Sequence, residues 1–465
     1  MNIPALYNTE QWTKMRADAE HRIQLASGEK AFRSIAEDRV FYGEDGRAEA
    51  VINTIAYVCD EEKDRPVMFF WNGGPGSATS MLQLECFGPY QMARDAEGRP
   101  LGELMEDSAC ILDICDLVFV DPVGVGFSRL LDPAASERYW SLMGDARSNA
   151  FAVLDWIRTH RRWNSPLYLC GESYGTIRVS RILEEFGRNP MEGNRMMLGL
   201  NVAGVILIGV ALSVDGKGGI VDPHIDLLTG TLPTMAAVHW YHNEKDSGVS
   251  EEDFVEEAWR FAAQELQPAL FLGDACPQEE IERLANRLHE LTGMEAAYFV
   301  RNRLKLNSAE DFMLQVTAAK GSRVDLYDAR KEISLTKTYN LVGDGNVPLV
   351  LMNGALAEKL GIGTDRQYYT GNINVNDAWN YDGLEHPTNM DCLRNAMNRM
   401  PGMKVLVASG RYDLCTLLGN TRYIFSHAGL PQEQLTLREY SGGHGVYSSA
   451  ESKAEFLADV RAMIR

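Results

Sequence analysis

Gly171-Glu172-Ser173-Tyr174-Gly175 follows directly on the apolar run Leu167-Tyr168-Leu169-Cys170. This is a G-x-S-x-G nucleophile elbow in the strand-then-turn setting that gives the pattern meaning. Small residues two positions either side of Ser173 let the chain reverse sharply. The reversal lifts the serine hydroxyl off the end of a sheet, where a base and a substrate can both reach it. A helix is predicted next, with Ile177, Ile182, Leu183 and Phe186 on one side. The competing reading is an ordinary Gly-Ser-Gly turn, and the surrounding segments decide between them.

Apolar strand-like runs recur on both sides of the elbow: Val51–Val58, Pro66–Trp71, Leu117–Val120, Ala203–Val210, Met403–Ser409 and Gln434–Tyr440. Between them, Asp145–Trp163 reads as a helix with Phe151, Leu154 and Ile157 on one stripe. Strands alternating with helices predict an α/β fold with a mainly parallel sheet covered on both faces. The near-continuous apolar character of the strands agrees, because such sheets are buried on both sides.

After Val210 the pattern changes. From about Asp222 to Lys337 strand signals fade and charged amphipathic helices take over, most clearly Glu251–Leu266 and Pro277–Thr292. Gly293 is a suitable C-cap for the second, and Ser308 with Asp311 marks another helix start. The expected organisation is a core in two parts, 1–215 and 338–465, with a helical cap inserted at 216–337. No internal repeat is evident.

Composition narrows the function classes. The net charge of −20 makes nucleic acid and anionic membranes poor partners, because the protein's field repels phosphates. Met1–Lys30 lacks the continuous apolar core of a signal peptide, and Trp12, Met15, Ala19 and Ile23 are spaced as on an amphipathic helix. No apolar run is long enough to span a bilayer, and no Asn-x-Ser/Thr sequon occurs. The eight cysteines form no C-x-x-C pairs and several flank strand-like runs, so they read as reduced core residues. Together these features predict a cytoplasmic protein.

A serine hydroxyl is a weak nucleophile and needs a base, with a carboxylate to orient that base. The strand Met403–Ser409 runs into Gly410-Arg411-Tyr412-Asp413, which puts Asp413 on the loop at its end. The last strand runs into Ser441-Gly442-Gly443-His444-Gly445, whose glycines allow a tight loop presenting His444. The order Ser173, Asp413, His444 is that of α/β-hydrolases. His427 lies in a helix-like stretch, and neither Asp382 nor Asp391 follows a strand. Trp71-Asn72-Gly73-Gly74-Pro75-Gly76 follows the strand Pro66–Trp71 and suits an oxyanion hole, which needs unobstructed N–H groups. One donor is assigned to Gly74 and the other to Tyr174, the residue after the nucleophile.

Together these segments resemble the serine carboxypeptidase family. Trp71–Gly76 is similar to its W-x-N-G-G-P-G pattern, with Trp and Asn adjacent here. Gly171–Tyr174 matches its GESY elbow. Asp121–Ser128 resembles its D-x-P-V-G-x-G-F-S loop, shortened by one residue. Gly410–Asp413, Leu418–Asn420 and Gly442–Tyr447 continue the likeness. The resemblance implies an α/β-hydrolase fold, with a mostly parallel central sheet flanked by helices and an inserted helical cap. It also implies release of C-terminal residues from peptides through an acyl-enzyme, without metal or cofactor. In that family the substrate's free carboxylate is held by the glycine-loop asparagine and by two glutamates sharing a proton. Asn72, with Gly73 beside it, and Glu172 match the first two of these residues.

The third residue of that set, the second glutamate, is displaced. In Glu85-Cys86-Phe87-Gly88-Pro89, counting back from Gly88 puts Cys86 where the family has glutamate, and Glu85 is one residue off. On an α-helix that is about 100° of rotation. Either Glu85 reaches in through a local bulge, or the carboxylate pair is broken. Ala78 stands where the family has cysteine, and Gly445 and Tyr447 stand where it has methionine and proline. These departures motivate a second expectation, an esterase or acyltransferase on small acyl compounds using the same triad. A non-catalytic binding protein on the same scaffold is the third, and intact Ser173, Asp413 and His444 argue against it.

Overall fold

The computed structural model describes residues 12–60, 64–95, 98–187, 199–213, 224–335, 346–382 and 387–465. A ten-stranded mixed sheet forms the centre. Its strands are β1 (Arg16–Leu25), β2 (Gly28–Tyr42), β3 (Ala48–Val58), β4 (Val67–Trp71), β5 (Asp116–Asp121), β6 (Arg129–Leu130), β7 (Leu167–Glu172), β8 (Val202–Ile208), β9 (Lys404–Gly410) and β10 (Leu435–Tyr440). They lie in the order β1-β2-β3-β5-β4-β7-β8-β9-β10, with the short β6 beside β3. From β5 to β10 every neighbouring pair is parallel, while β1, β2, β3 and β5 pair antiparallel.

The parallel strands are apolar throughout because each faces two cores. In β4, Met68 and Phe70 pack into one cluster while Val67, Phe69 and Trp71 pack into the other. In β7, Tyr168 and Cys170 take the first side and Leu167 and Leu169 the second. Helices complete the layers: α1 (Leu142–Thr159), α2 (Tyr174–Gly187), α3 (Leu227–His239), α4 (Glu251–Phe261), α5 (Gln278–Thr292), α6 (Asn389–Arg399) and α7 (Ala450–Ile464). Helices α1, α2 and α6 cover one face through Trp156, Ile182 and Met397. Helix α7 covers the other through Phe456 and Val460. Among the described residues, no helix is long and apolar enough to cross a membrane, and no disulfide links the eight cysteines.

The stretch containing Trp12, Met15, Ala19 and Ile23 differs from the helical reading. Residues 16–25 form an edge strand, hairpinned to β2 with Leu25 opposite Gly28. Ala17, Ala19, His21, Ile23 and Leu25 alternate with the more exposed Asp18, Glu20, Arg22 and Gln24. That is a period of two, and a subset of the same stretch also satisfies a helical spacing. Gly28, the first residue of β2 after the turn Ala26-Ser27, has φ 121°, a conformation glycine adopts readily. Two helix ends also shift. Helix α1 starts after Ser141, which caps it through the Gly144 N–H, and stops at Thr159 before Arg161 turns left-handed. The Glu251–Leu266 helix becomes a wider π turn from Ala262 onward.

Residues 224–335 are mainly helical and carry their own core, built on Leu232, Phe261, Leu284, Leu288 and Phe299. Tyr412, Leu414 and Leu418 join that core from the sheet domain. The ends expected for the cap, near 216 and 337, and Asp222 lie outside the described residues.

Candidate active site

Ser173 stands between the end of β7 and the start of α2 at φ 57°, a left-handed conformation rare for a residue with a side chain. Its N–H donates to the Ile208 carbonyl at 2.9 Å. The turn is close enough that a Cβ on Gly171 would lie 2.2 Å from the Gly175 carbonyl oxygen, and one on Gly175 2.5 Å from that of Trp71. Both positions exclude side chains.

The glycine loop after β4 closes over this turn. A Cβ on Gly73 would come within 2.7 Å of both the Ser173 Cβ and the Tyr174 nitrogen. Tyr174 opens α2, so its N–H has no intrahelical acceptor and points from the positive end of the helix dipole. Below the loop, Arg178 Nη1 donates to the Asn72 carbonyl at 2.8 Å, while Arg178 Nε pairs with buried Asp145 at 2.7 Å. A buried cation thus fixes the backbone that carries Gly73 and Gly74.

His444 Nδ1 lies 2.8 Å from Asp413 Oδ2. Asp413 is fully buried and its Oδ1 accepts the backbone N–H groups of Cys415 (2.8 Å) and Thr416 (3.0 Å). The Thr416 hydroxyl donates to Oδ2 as well. Burial alone would lower the His444 pKa, but the charge and hydrogen bond of Asp413 and the charge of Glu172 outweigh it, raising it to about 9. Asp413, Cys415 and His444 also have metal-ligand spacing, yet the Cys415 thiol is pushed up to about 12 by burial and by Asp413, which makes it a poor thiolate ligand.

Two features of the base's surroundings had no counterpart in the motif reading. Gly209, just past β8 at φ 55°, lies under the imidazole, where a Cβ would be 3.1 Å from His444 Nδ1. A glycine inside the apolar run Ala203–Val210 was the available signal. The second is the cap. The Tyr327 carbonyl accepts the His444 N–H at 2.6 Å, the Leu326 carbonyl accepts the Leu414 N–H at 3.1 Å, and the Tyr412 carbonyl accepts the Ala329 N–H at 3.0 Å. Arg330 Nη1 donates to the Ser441 carbonyl at 2.8 Å. One cap segment therefore holds both the acid loop and the base loop.

Glu172, buried beside the nucleophile, is bracketed by two donors. Asn72 Nδ2 donates to Oε1 and the Tyr447 hydroxyl donates to Oε2, each at 2.6 Å. Burial pushes its pKa above the usual carboxylate range. The charge of His444 and both hydrogen bonds oppose this, and Glu85 adds a smaller upward push. Residues Leu82–Phe87 form a π-helical turn, the kind of local bulge the displaced glutamate would need. The Glu85 carboxylate nonetheless lies 3.0 Å from Arg94, and Cys86 is fully buried. Tyr447 is thus the hydroxyl neighbour of Glu172, a role the motif spacing did not signal.

A family profile described as serine carboxypeptidase matches residues 56–452. The chain belongs to the serine carboxypeptidase family. A serine carboxypeptidase-like 30 protein of Arabidopsis thaliana is 28% identical over 152 residues, 32% of this chain and 30% of that relative. The match therefore spans under a third of the relative's length. Among solved structures, the prohormone-processing carboxypeptidase Kex1(Δ)p of Saccharomyces cerevisiae aligns with a TM-score of 0.56 and 12% identity, over 92% of this chain and 91% of the other. At that identity the likeness shows the shared α/β-hydrolase fold.

Proposed function

We propose that this protein is a serine carboxypeptidase, releasing C-terminal residues from peptides through an acyl-enzyme on Ser173. His444 takes the Ser173 proton as the hydroxyl attacks the scissile carbonyl, then returns it to the leaving amine. Asp413 holds the imidazole tautomer and balances its charge. The N–H groups of Gly74 and Tyr174 receive the oxyanion, on a backbone stiffened by Arg178. Asn72, Gly73 and Glu172 line the place for the substrate's end, and peptides are the partner class this implies. The observation that carries the reading is the adjacency of a hydrogen-bonded acid, Glu172, to the strained nucleophile Ser173. An ester-cleaving site has no need of such an acid.

An esterase or acyltransferase is the second reading, favoured by the ion pair that ties Glu85 to Arg94. The test is hydrolysis of a blocked dipeptide and its C-terminal amide, with Ser173→Ala as control. Cleavage of the free acid alone, lost in the variant, is the expected result. Equal cleavage of both forms, or cleavage of simple esters only, hands the lead to the second reading.

A further inference from the structure

The orientation of Asn72 is decided by its neighbours. Its Oδ1 accepts the Leu82 N–H at 3.1 Å, so Nδ2 is the atom facing Glu172 Oε1. Oε1 is therefore an acceptor only, and any proton carried by Glu172 sits on Oε2. Oε2 is 2.6 Å from the Tyr447 oxygen. One adjustable hydrogen-bond proton lies between these two atoms. With Glu172 ionised, the Tyr447 O–H donates to it. With Glu172 protonated, the carboxyl donates to the phenol oxygen, and the Tyr447 O–H turns elsewhere.

We propose that Tyr447 reads the substrate's free C-terminal carboxylate, with Glu172 behind it as the proton store. The proposal rests on the carboxypeptidase reading above and names the group that enforces it. A phenol that has received a hydrogen bond from one carboxyl donates its own to another, so the two acids are bridged through Tyr447. Binding a free acid is then coupled to uptake of one solvent proton by Glu172. The titratable groups facing the pair are His444 on the loop of Tyr447, Glu85 and Cys86 on the π turn, and Cys170 on β7. The one carboxylate among them, Glu85, is held by Arg94. The substitutions are also paired. A Cβ on Gly445 would lie 3.0 Å from the Tyr447 ring, so the small residue makes room for the large one.

The test uses the full chain, with Tyr447→Phe assayed on a blocked dipeptide acid and on the ethyl ester of the same blocked acyl residue. Both substrates form the same acyl-enzyme. Losing one hydrogen bond to a charged group is expected to raise KM for the acid about 10- to 100-fold. Ester kcat/KM should stay within about threefold. Should Tyr447→Phe not fold, Glu172→Gln decides. Its amide permanently donates to the phenol oxygen, so the acid's KM should stay low and flat from about pH 5 to 8, where the wild-type value climbs. Equal losses on both substrates, an unchanged KM for the acid, a Glu172→Gln enzyme that still tracks pH, or a selective loss in Glu85→Gln would each overturn the proposal. If the wild type cuts the ester and leaves the acid intact, the carboxypeptidase reading itself fails and takes this one with it. That result is distinct from an active carboxypeptidase indifferent to Tyr447.

Discussion

The loops of His444 and Asp413 are pinned through the backbone: the Tyr327 carbonyl accepts the His444 main-chain N–H, and the Cys415 and Thr416 N–H groups hold one oxygen of the Asp413 carboxylate. Glu172 is held by side chains alone at its carboxylate, from partners 100 and 275 residues away in the chain. Backbone-held groups depend on loop shape, which tolerates many changes of neighbouring side chain. Side-chain-held groups change character with one substitution. The reaction machinery can therefore stay constant while the recognition of the leaving group diverges. The departures at Glu85, Cys86, Gly445 and Tyr447 all fall on the recognition side.

The sharpest way to break this comparison is Asp413→Asn. The side chain keeps its shape but loses the charge that orients and supports His444, and triad changes of this kind cost about 10⁴-fold in kcat. If Asp413 serves only the reaction, peptide acids and esters should lose activity by the same factor. Stopped or continuous assays of both substrates check this. A loss confined to one class would mean that the two sides are not separable.

The pH profiles should separate the same two sides. His444 is an imidazolium below about 9, and only the neutral ring accepts the Ser173 proton. Ester kcat/KM should therefore rise about tenfold per pH unit from pH 6 to 8 and level off near the raised pKa. For the free acid a second trend opposes the first. As pH rises, Glu172 ionises, recaptures the Tyr447 proton and repels the substrate carboxylate, so KM climbs. The ratio of acid to ester cleavage should fall steadily with pH. A flat ester profile from pH 6 to 9 would contradict the assignment of the base.

What was legible in the chain follows the same division. Ser173 was readable because strand, turn and helix are contiguous, and its glycines act on atoms within a few residues. Asp413 and His444 were readable because each follows a strand, and strand ends gather on one rim of a parallel sheet. The N-terminal strand departs from the helical expectation because Met15, Ala19 and Ile23 satisfy a helical spacing, while alternation of Asp18, Glu20 and Arg22 with less exposed residues satisfies a strand. Only pairing with β2 decides between them. Tyr447 was visible as a departure, but its partner was not, since no local spacing reports a contact between the last loop and the elbow. The cap's grip on His444 was hidden for the same reason.

Gly209 gives the smallest effect and the finest probe of how tightly the reaction side is set. Its φ of 55° is open to alanine only at some strain, on the order of 1 kcal/mol. The added Cβ would press on the imidazole at 3.1 Å and on the Thr416 hydroxyl at 3.0 Å. Both neighbours are anchored to Asp413, so neither can move without lengthening a hydrogen bond in the triad. The imidazole should shift by a few tenths of an ångström. Since misplacement by 1 Å costs about 10²-fold, Gly209→Ala should lower kcat about tenfold. KM for the free acid should not change, because the nearest neighbours of the added Cβ are Thr416 and His444. Parallel kcat and KM measurements, with a thermal melt to register the strain, give the answer. A rise in KM for the acid alone would show that the β8 end also supports the recognition side, and the division drawn from the hydrogen bonds would have to be redrawn there.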